Sequence, residues 1–582
     1  MNTINVKING REYTVPAGGT VLDAARYAKI DIPTLCYLKD INEIGACRLC
    51  LVEVKGARGM MAACVTPATD GMEIFTNTEK VRNARKMNLE LVLSTHNKKC
   101  LTCIRSTSCE LQQLCNDLGV EDDGRWDGAI GDTSVDESTS FLVRDNSKCI
   151  LCRRCVGACQ NLQGIGVINA LDRGFDTHIG CAFDQNLADA ACVSCGQCIV
   201  ACPTGALHEK DDTDAVMAAI ADPEKHVIIT CAPSVRATIG ECFGYAPGTD
   251  VEPQMIAALK RVGFDAVYDL NLTADMTIVE EATEFLERFK SGKNLPLMTS
   301  CSPGWVKFCE HYFPEFTDNL STCKSPQQMF GAMYKTYYAK KLGIDPKNIV
   351  VVSAIPCTAK KFEVRRPGQC AAGDGIYDVD YAVTTREAAR LIQRAGIDFR
   401  AMPTNEKFDE PFGIGSGAGA IFGATGGVME AALRMAAEVV LGKKLEKLDF
   451  KEVRGTKGIK FATYKLGDVT VNVAVASGTK NARELLTKVK NGEVKVDFIE
   501  IMCCPGGCVN GGGQPVQSSK VKATIDLKKV RASVLYKADA RMDLRRSHEN
   551  SAVKKVYDEY FGSYGSHKAH EVLHTHYIKR GL

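Results

Sequence analysis

The residues with the most chemistry to offer in this 582-residue chain are its 27 cysteines, and they are unevenly spread. Fifteen stand in four tightly spaced sets before residue 203, while Cys301, Cys357, Cys504 and Cys508 lie far apart in segments dense with Gly and Pro. Closely spaced cysteines bind clusters that pass single electrons. Thiols drawn from distant segments describe another kind of site, buried in a large fold, where electrons would be used for chemistry.

Cys36, Cys47, Cys50 and Cys64 follow C-x10-C-x2-C-x13-C, and the small residues of IGACRLC let backbone wrap a flat cluster and donate N–H bonds to its sulfurs. Four buried structural cysteines are the blander alternative. His96, Cys100, Cys103 and Cys109 follow H-x3-C-x2-C-x5-C, which alone also suits zinc. Beside the other sets it points to a [4Fe–4S] cluster with one imidazole ligand, less negative and therefore of higher potential. The doubled run is the most specific signal: Cys149, Cys152, Cys155 and Cys159, then Cys192, Cys195, Cys198 and Cys202 before Pro203. In the bacterial two-cluster pattern the fourth cysteine of each run serves the other cluster. Cys149, Cys152, Cys155 and Cys202 are thus expected on one cubane, and Cys192, Cys195, Cys198 and Cys159 on its partner. Cys159-Gln160 departs from the usual Cys-Pro, and Cys181 reads as a spare buried thiol.

The elements that must position these groups are legible in outline. MNTINVKINGREYTVPAGG alternates like a strand pair around a turn, TVLDAARYAKI reads as a helix, and a charged helical stretch begins near residue 79. Beyond residue 210, strands such as HVIITCAPSV, NIVVVSAIP and KVDFIEIM alternate with helices such as MTIVEEATEFLERFK, implying a layered α/β domain with functional groups at strand ends. The length calls for several domains, here expected at 1–78, 79–140, 141–210 and 211–582. A net charge of +2 leaves no global footprint for nucleic acid or membrane. No apolar run approaches the ~20 residues of a spanning helix, and the N-terminus lacks a signal-peptide core. Cysteine-rich secreted scaffolds are short, so a reducing, anaerobic cytoplasm is expected.

TSCSPGW (299–305), IPCTAKKFE (355–363) and EIMCCPGGCVNGGGQP (500–515) resemble, in order, the three signature segments of [FeFe]-hydrogenases, and SGAGAIFGATGGVMEAALR and KVRASVLY match as well. The first cysteine set also resembles the [2Fe–2S] domain of that family and of the large iron-sulfur subunit of respiratory complex I. The resemblance runs to the HENSAVKKVYDEYFG tail. It implies a multidomain α+β and α/β chain: a [2Fe–2S] ferredoxin-like β-grasp domain, a His/Cys [4Fe–4S] domain, a two-cluster ferredoxin domain and a large α/β catalytic domain. It further implies an H-cluster, a [4Fe–4S] cubane joined through one cysteine sulfur to a two-iron unit carrying CO, cyanide and azadithiolate, at which H2 is oxidised or protons reduced. Cys357, Cys504 and Cys508 would hold the cubane, with Cys508 bridging. Lys360 and Ser234 would bond the cyanides, and Pro233, Gln327 and Met502 would enclose the remaining ligands.

One departure stands out. The family carries two adjacent cysteines in the first signature, a proton relay and then a cubane ligand, whereas this chain has Cys301 followed by Ser302. By register Cys301 is the relay. Whether Cys301 is also the fourth ligand, Ser302 ligates through oxygen, or a displaced cysteine fills the place stays open, with Cys301 favoured because serine is a poor, hard ligand for such clusters. Cys323, Cys503 and Ile355 are further departures.

Glu281, Glu284 and Arg288 share one helical face. Spacing alone favours a solvated face; the resemblance implies instead a proton path through Glu284, Ser321, Glu281 and Cys301, with Arg288 near the outer end. GATGGVME and GIGSGAG lack the marks of a nucleotide loop. The tail histidines His548, His567, His570, His574 and His576 read as solvent-facing imidazoles of a packing helix. Two other functions compete: an electron-transfer subunit like that of complex I, which leaves the last three signatures idle, and a non-catalytic iron-sulfur assembly relative. Lys360, Ser234 and the proton path favour the hydrogenase. Expected partners are ferredoxin, or flavin- and NAD-binding subunits.

Overall fold

A computed structural model describes residues 2–121, 125–126 and 131–581. The chain divides into two compact units, one of residues 1–190, 197–208 and 516–524, the other of residues 191–196, 209–515 and 525–582. Residues 516–524 group with the first unit and residues 191–196 with the second. That short stretch is held there by a bond from the Thr358 hydroxyl to the Ser194 carbonyl (2.8 Å).

The first unit opens with the expected hairpin, β1 (Thr3–Ile8) and β2 (Arg11–Pro16), turned by Asn9 and Gly10 at φ 49° and 84°. Both φ values are positive, as the tightest hairpin turns require. Helix α1 (Val21–Tyr27) starts at a reciprocal cap between Thr20 and Asp23 and buries Val21, Leu22, Ala24 and Ala25. Strands β3 (Leu51–Val54), β4 (Met61–Ala62) and β5 (Glu73–Phe75) complete a sheet of order β2-β1-β5-β3-β4, in which only the β1–β5 pair is parallel. The charged helix α2 (Glu79–Ser94) follows.

The second unit contains two four-stranded sheets. One is wholly parallel, of order β7-β6-β9-β10, from β6 (His226–Cys231), β7 (Ala266–Asp269), β9 (Ile349–Ile355) and β10 (Tyr381–Thr384). Its strands are apolar on both faces, as a sheet covered by helices requires. The other has order β8-β13-β12-β11, from β8 (Leu297–Met298), β11 (Ile459–Leu466), β12 (Val469–Ser477) and β13 (Phe498–Met502); only β11 and β12 pair antiparallel. Helix α3 (Asn271–Ser291) is buried along most of its 21 residues and stops at Gly292, φ 68°. Helix α4 (Pro303–Tyr312) begins with proline, whose missing N–H costs nothing in a first turn. Helix α5 (Gly427–Leu441) packs against α3. Among the described residues no helix is long and apolar enough to cross a membrane.

Candidate active site and cluster-binding loops

In the first unit the four cysteines of the first set converge. The Cys47 N–H lies 3.5 Å from Cys36 Sγ, and the Cys50 and Cys64 sulfurs are 3.3 Å apart. Arg48, between Cys47 and Cys50, takes a left-handed φ of 54°. Such strain in a non-glycine residue marks a functional loop. Cys100, Cys103 and Cys109 are electrostatic neighbours, with Cys115 beside them. His96 Nδ1 is buried without a partner, and burial pushes the imidazole pKa down, keeping the ring neutral as a ligand must be.

Cys149, Cys152, Cys155 and Cys202 line one cavity together with Pro203. The fourth cysteine of the second run therefore joins the first three of the first run. Leu151 and Arg153, at φ 52° and 59°, twist this loop so that the Leu151 N–H reaches Cys149 Sγ at 3.4 Å. Cys159 and Cys198 belong to the first unit, Cys192 and Cys195 to the second. Cys181 is buried as expected, with the Arg144 guanidinium 4.0 Å from its sulfur.

In the second unit the signature segments follow the C-terminal ends of parallel strands, the usual position for sites in open α/β sheets. Pro233 and Ser234 follow β6, Cys301 follows β8, Cys357 follows β9, and Cys504 and Cys508 follow β13. Gly511 lets the GGGQP loop press on this turn, for a Cβ there would lie 2.1 Å from the Pro356 carbonyl oxygen. Cys357, Cys504 and Cys508 bear directly on one another's charge, and burial followed by that mutual repulsion raises the Cys357 and Cys508 thiol pKa values, the latter to about 12. Cys301 belongs to the same group: the charges bearing most on its thiol are Glu281, Cys508, Lys360 and Glu500. Three thiols with a fourth sulfur nearby suit an iron-sulfur cubane.

The surrounding polar atoms fit a further bound group. Ser234 Oγ and Gln327 Oε1 are buried with no partner, an arrangement that calls for a ligand. Lys360 Nζ is held by Glu363 Oε2 (2.8 Å), which also accepts from Ser325 Oγ (2.9 Å) and Gln327 Nε2 (3.3 Å). Met502 ends β13 at 2% exposure. Glu363 was missed in the sequence although it stands three residues beyond Lys360. Glu500 was missed too: it accepts the Gly426 and Met429 N–H groups (2.6 and 2.8 Å), tying the start of α5 to the cysteine loop.

The face of α3 that spacing alone assigned to solvent runs from a buried Glu281 to half-buried Glu284 and Arg288. Arg288 donates to Glu284 Oε1 (2.6 Å), and Ser321 Oγ donates to Glu284 Oε2 (2.9 Å). Glu281 is fully buried and makes no bond within 3.5 Å; Ser321 and the Ser300 N–H are the groups facing it. Burial, and then the charge of Glu284, pushes Glu281 up to about 8. The groups therefore run Arg288, Glu284, Ser321, Glu281, Cys301, and an open cleft reaches the outer two past His567, His570 and His576. Cys323 Sγ lies 3.9 Å from Glu284 Oε2.

One expectation is corrected here. His574 does not face solvent: it is 9% exposed, its Nδ1 meets the Thr322 hydroxyl (2.7 Å) and its Nε2 meets Glu280 Oε2 (3.1 Å). It belongs to a C-terminal strap along the relay. The Thr575 N–H bonds the Thr322 carbonyl (2.8 Å), the Tyr577 hydroxyl bonds the Ser321 carbonyl (2.6 Å), and Arg580 grips Glu310 (2.8 Å). His548 is also half-buried, 2.9 Å from Glu438 Oε2.

Comparison with known proteins agrees with this geometry. Residues 225–512 match the family "Iron only hydrogenase large subunit, C-terminal domain", and 525–580 match "Iron hydrogenase small subunit". Residues 1–79 match a 2Fe-2S binding domain, 85–123 the iron-sulfur binding region of NADH-ubiquinone oxidoreductase-G, and 189–208 a 4Fe-4S binding domain. The chain is 48% identical to NADP-reducing hydrogenase subunit HndD of Solidesulfovibrio fructosivorans, covering 100% of each. It is 44% identical to iron hydrogenase 1 of Clostridium pasteurianum, over 98% of this chain and 99% of that one. A solved variant of apo [FeFe]-hydrogenase HydA1 from Chlamydomonas reinhardtii superposes with a TM-score of 0.57 at 40% identity, covering 64% of this chain and 100% of the other. With thiols, a lysine, carboxylates and cysteine-rich loops all in one multidomain α/β chain, this protein belongs to the iron-only, or [FeFe], hydrogenases.

Proposed function

We propose that this hydrogenase interconverts H2 with protons and electrons at an H-cluster: Cys357, Cys504 and Cys508 would hold its cubane, and the site would also take a two-iron unit with CO, cyanide and azadithiolate ligands. The observation that carries this reading is the convergence of Cys301, Cys357, Cys504, Cys508, Lys360 and Glu281. The chemistry supplied by the bound group is heterolytic cleavage of H2 and storage of the released electrons.

The protein's own groups do the rest. Lys360 brings positive charge to anionic cyanide while Glu363 holds its ammonium in place; Ser234 offers a second donor, and Pro233, Gln327 and Met502 keep water away. Cys301 exchanges a proton with the reacting centre and passes it to Glu281. With a pKa near 8, Glu281 is mostly protonated at neutral pH yet can ionise, which suits a carrier better than an ordinary carboxylate. Ser321 bridges it to Glu284, and Arg288 holds Glu284 at the mouth of the cleft.

One [2Fe–2S] cluster would be held in a β-grasp domain by Cys36, Cys47, Cys50 and Cys64, a [4Fe–4S] cluster by His96, Cys100, Cys103 and Cys109, and two ferredoxin-type cubanes by the doubled run; together they would supply one-electron transfer. The domains are those of residues 1–78, 79–140, 141–210 and 211–582, in a cytoplasmic protein. The name of the 48%-identical relative and the match to the NADH-ubiquinone oxidoreductase-G region support flavin- and NAD(P)-binding partner subunits; ferredoxin is a second candidate acceptor. The test is an infrared spectrum of the anaerobic, matured protein. CO and cyanide bands that shift under H2 are expected; their absence, in protein with full cubane iron and a maturation control that works, would overturn the catalytic reading.

A further inference from the structure

Cys357, Cys504 and Cys508 supply three of the four thiolates a cubane needs, and the position that should supply the fourth, residue 302, is serine. The Ser302 hydroxyl oxygen is engaged, accepting the backbone N–H of Cys503 at 3.2 Å. Serving as a ligand would require this hard oxygen to lose its proton and bind a soft cluster. Cys301 adjoins the proton relay: the charge bearing most on it is Glu281, ahead of Cys508.

The sulfur missing from position 302 reappears next to it on another strand end. Cys503 is 4% exposed, and its Sγ presses on the turn that Ser302 begins, since a Cβ on Gly304 would lie 2.7 Å from it. The thiols of Cys504 and Cys195 are both within hydrogen-bonding reach of the Cys503 thiol. Cys503 is therefore buried beside the ligand Cys504 and adjoins the 302–304 turn.

We propose that Cys503 is the fourth ligand of the H-cluster cubane, the ligand position having moved from the first signature segment to the third. The assignment rests on the H-cluster reading above. Ligation forms one iron–sulfur bond and releases the thiol proton to water, with no change of oxidation state. Two adjacent residues, Cys503 and Cys504, would then hold neighbouring corners of the cluster, and Ser302 would remain as a hydrogen-bonding support for their loop. The same sulfur would touch Cys195, expected on an accessory cubane, so the cluster ligands would meet without an intervening residue.

The test compares full-length parent protein with Cys503→Ala, Ser302→Ala and the Ser302→Cys/Cys503→Ala pair, all made anaerobically with iron supplied. Iron and acid-labile sulfide per chain are measured, and cubane signals are counted by electron paramagnetic resonance. The expected result is a deficit of one cubane in Cys503→Ala, a full complement in Ser302→Ala, and recovery in the pair, where the thiolate returns to position 302. A full complement in Cys503→Ala, or a deficit in Ser302→Ala, would overturn the proposal. If Cys503→Ala fails to fold, the pair decides: a full iron content supports the assignment and a deficit overturns it. Infrared bands of the parent judge the catalytic reading separately, because iron counts in the variants decide the ligand whether or not the two-iron unit is present.

Discussion

Replacing Glu281 by glutamine tests the proton relay in two ways at once. The carboxyl titrates near 8 in the folded protein against an ordinary 4.5, raised by burial and then by Glu284. Between these values the folded state binds the proton that the unfolded chain has released, so stability falls as pH rises through that window. Its contribution is fully present below 4.5 and is lost by about pH 8. At about 1.4 kcal/mol per pH unit, the total approaches ~5 kcal/mol. Glutamine never ionises, so Glu281→Gln should melt progressively higher than the parent from pH 5 to 8 and by a constant margin above. For the roughly 370 residues of the second unit, unfolding entropy of about 2 cal/mol/K per residue converts this into ~6 °C. Differential scanning calorimetry of the loaded proteins across that range measures it. H2 evolution with a reduced dye should meanwhile fall by ~10²–10⁴, the usual worth of a positioned proton carrier. A melting difference independent of pH would refute the shifted titration, and parental turnover would refute the route.

Cys301→Ala should lose most H2 turnover in either direction while keeping its cubane iron; activity close to the parent's would remove it from the relay. His96→Ala should lose the signal of one [4Fe–4S] cluster in electron paramagnetic resonance and leave the others, whereas an unchanged spectrum would mean that imidazole is no ligand. Glu209, 1% exposed, accepts from Arg386 Nε (3.0 Å) and Arg390 (2.7 Å). Glu209→Gln removes the charge shared by both guanidiniums, but Arg386 keeps the Gln514 carbonyl and Arg390 keeps Asp211, so urea unfolding of the second unit should show a loss of about 1–3 kcal/mol; a change below ~1 kcal/mol would show that water already screens the pair.

The accessory cluster loops were legible because their ligands are local: a few residues of spacing put Cys149, Cys152 and Cys155 around one cavity, and only Cys202 had to arrive from elsewhere. What spacing does not reveal is the backbone strain that makes them fit, the left-handed Leu151, Arg153 and Ser194. The strands and α3 were legible from period, and the signature segments do end strands β8, β9 and β13. Period also put Glu281, Glu284 and Arg288 on one face, but could not say what covers it; that depends on Ser321, from another segment. His574 was misread for the same reason. Its partners Thr322 and Glu280 stand 252 and 294 residues away, so nothing in its own helical neighbourhood signals burial. Cys503 stood in the sequence only as a departure from the family pattern, because Ser302 meets it across 201 residues.

The strap that fastens Ser321 gives the site a timetable. Tyr577 follows Ser321 by 256 residues, and at about 5–20 residues per second a ribosome needs roughly 13–50 s to make the intervening chain. Throughout that interval the four N-terminal cysteine sets are already outside the tunnel, while the serine hinge of the relay still awaits the tyrosine and histidine that close it. The first two cysteine sets can thus fill before proton wiring exists, whereas the doubled run has to wait, because Cys192 and Cys195 fold with the second unit.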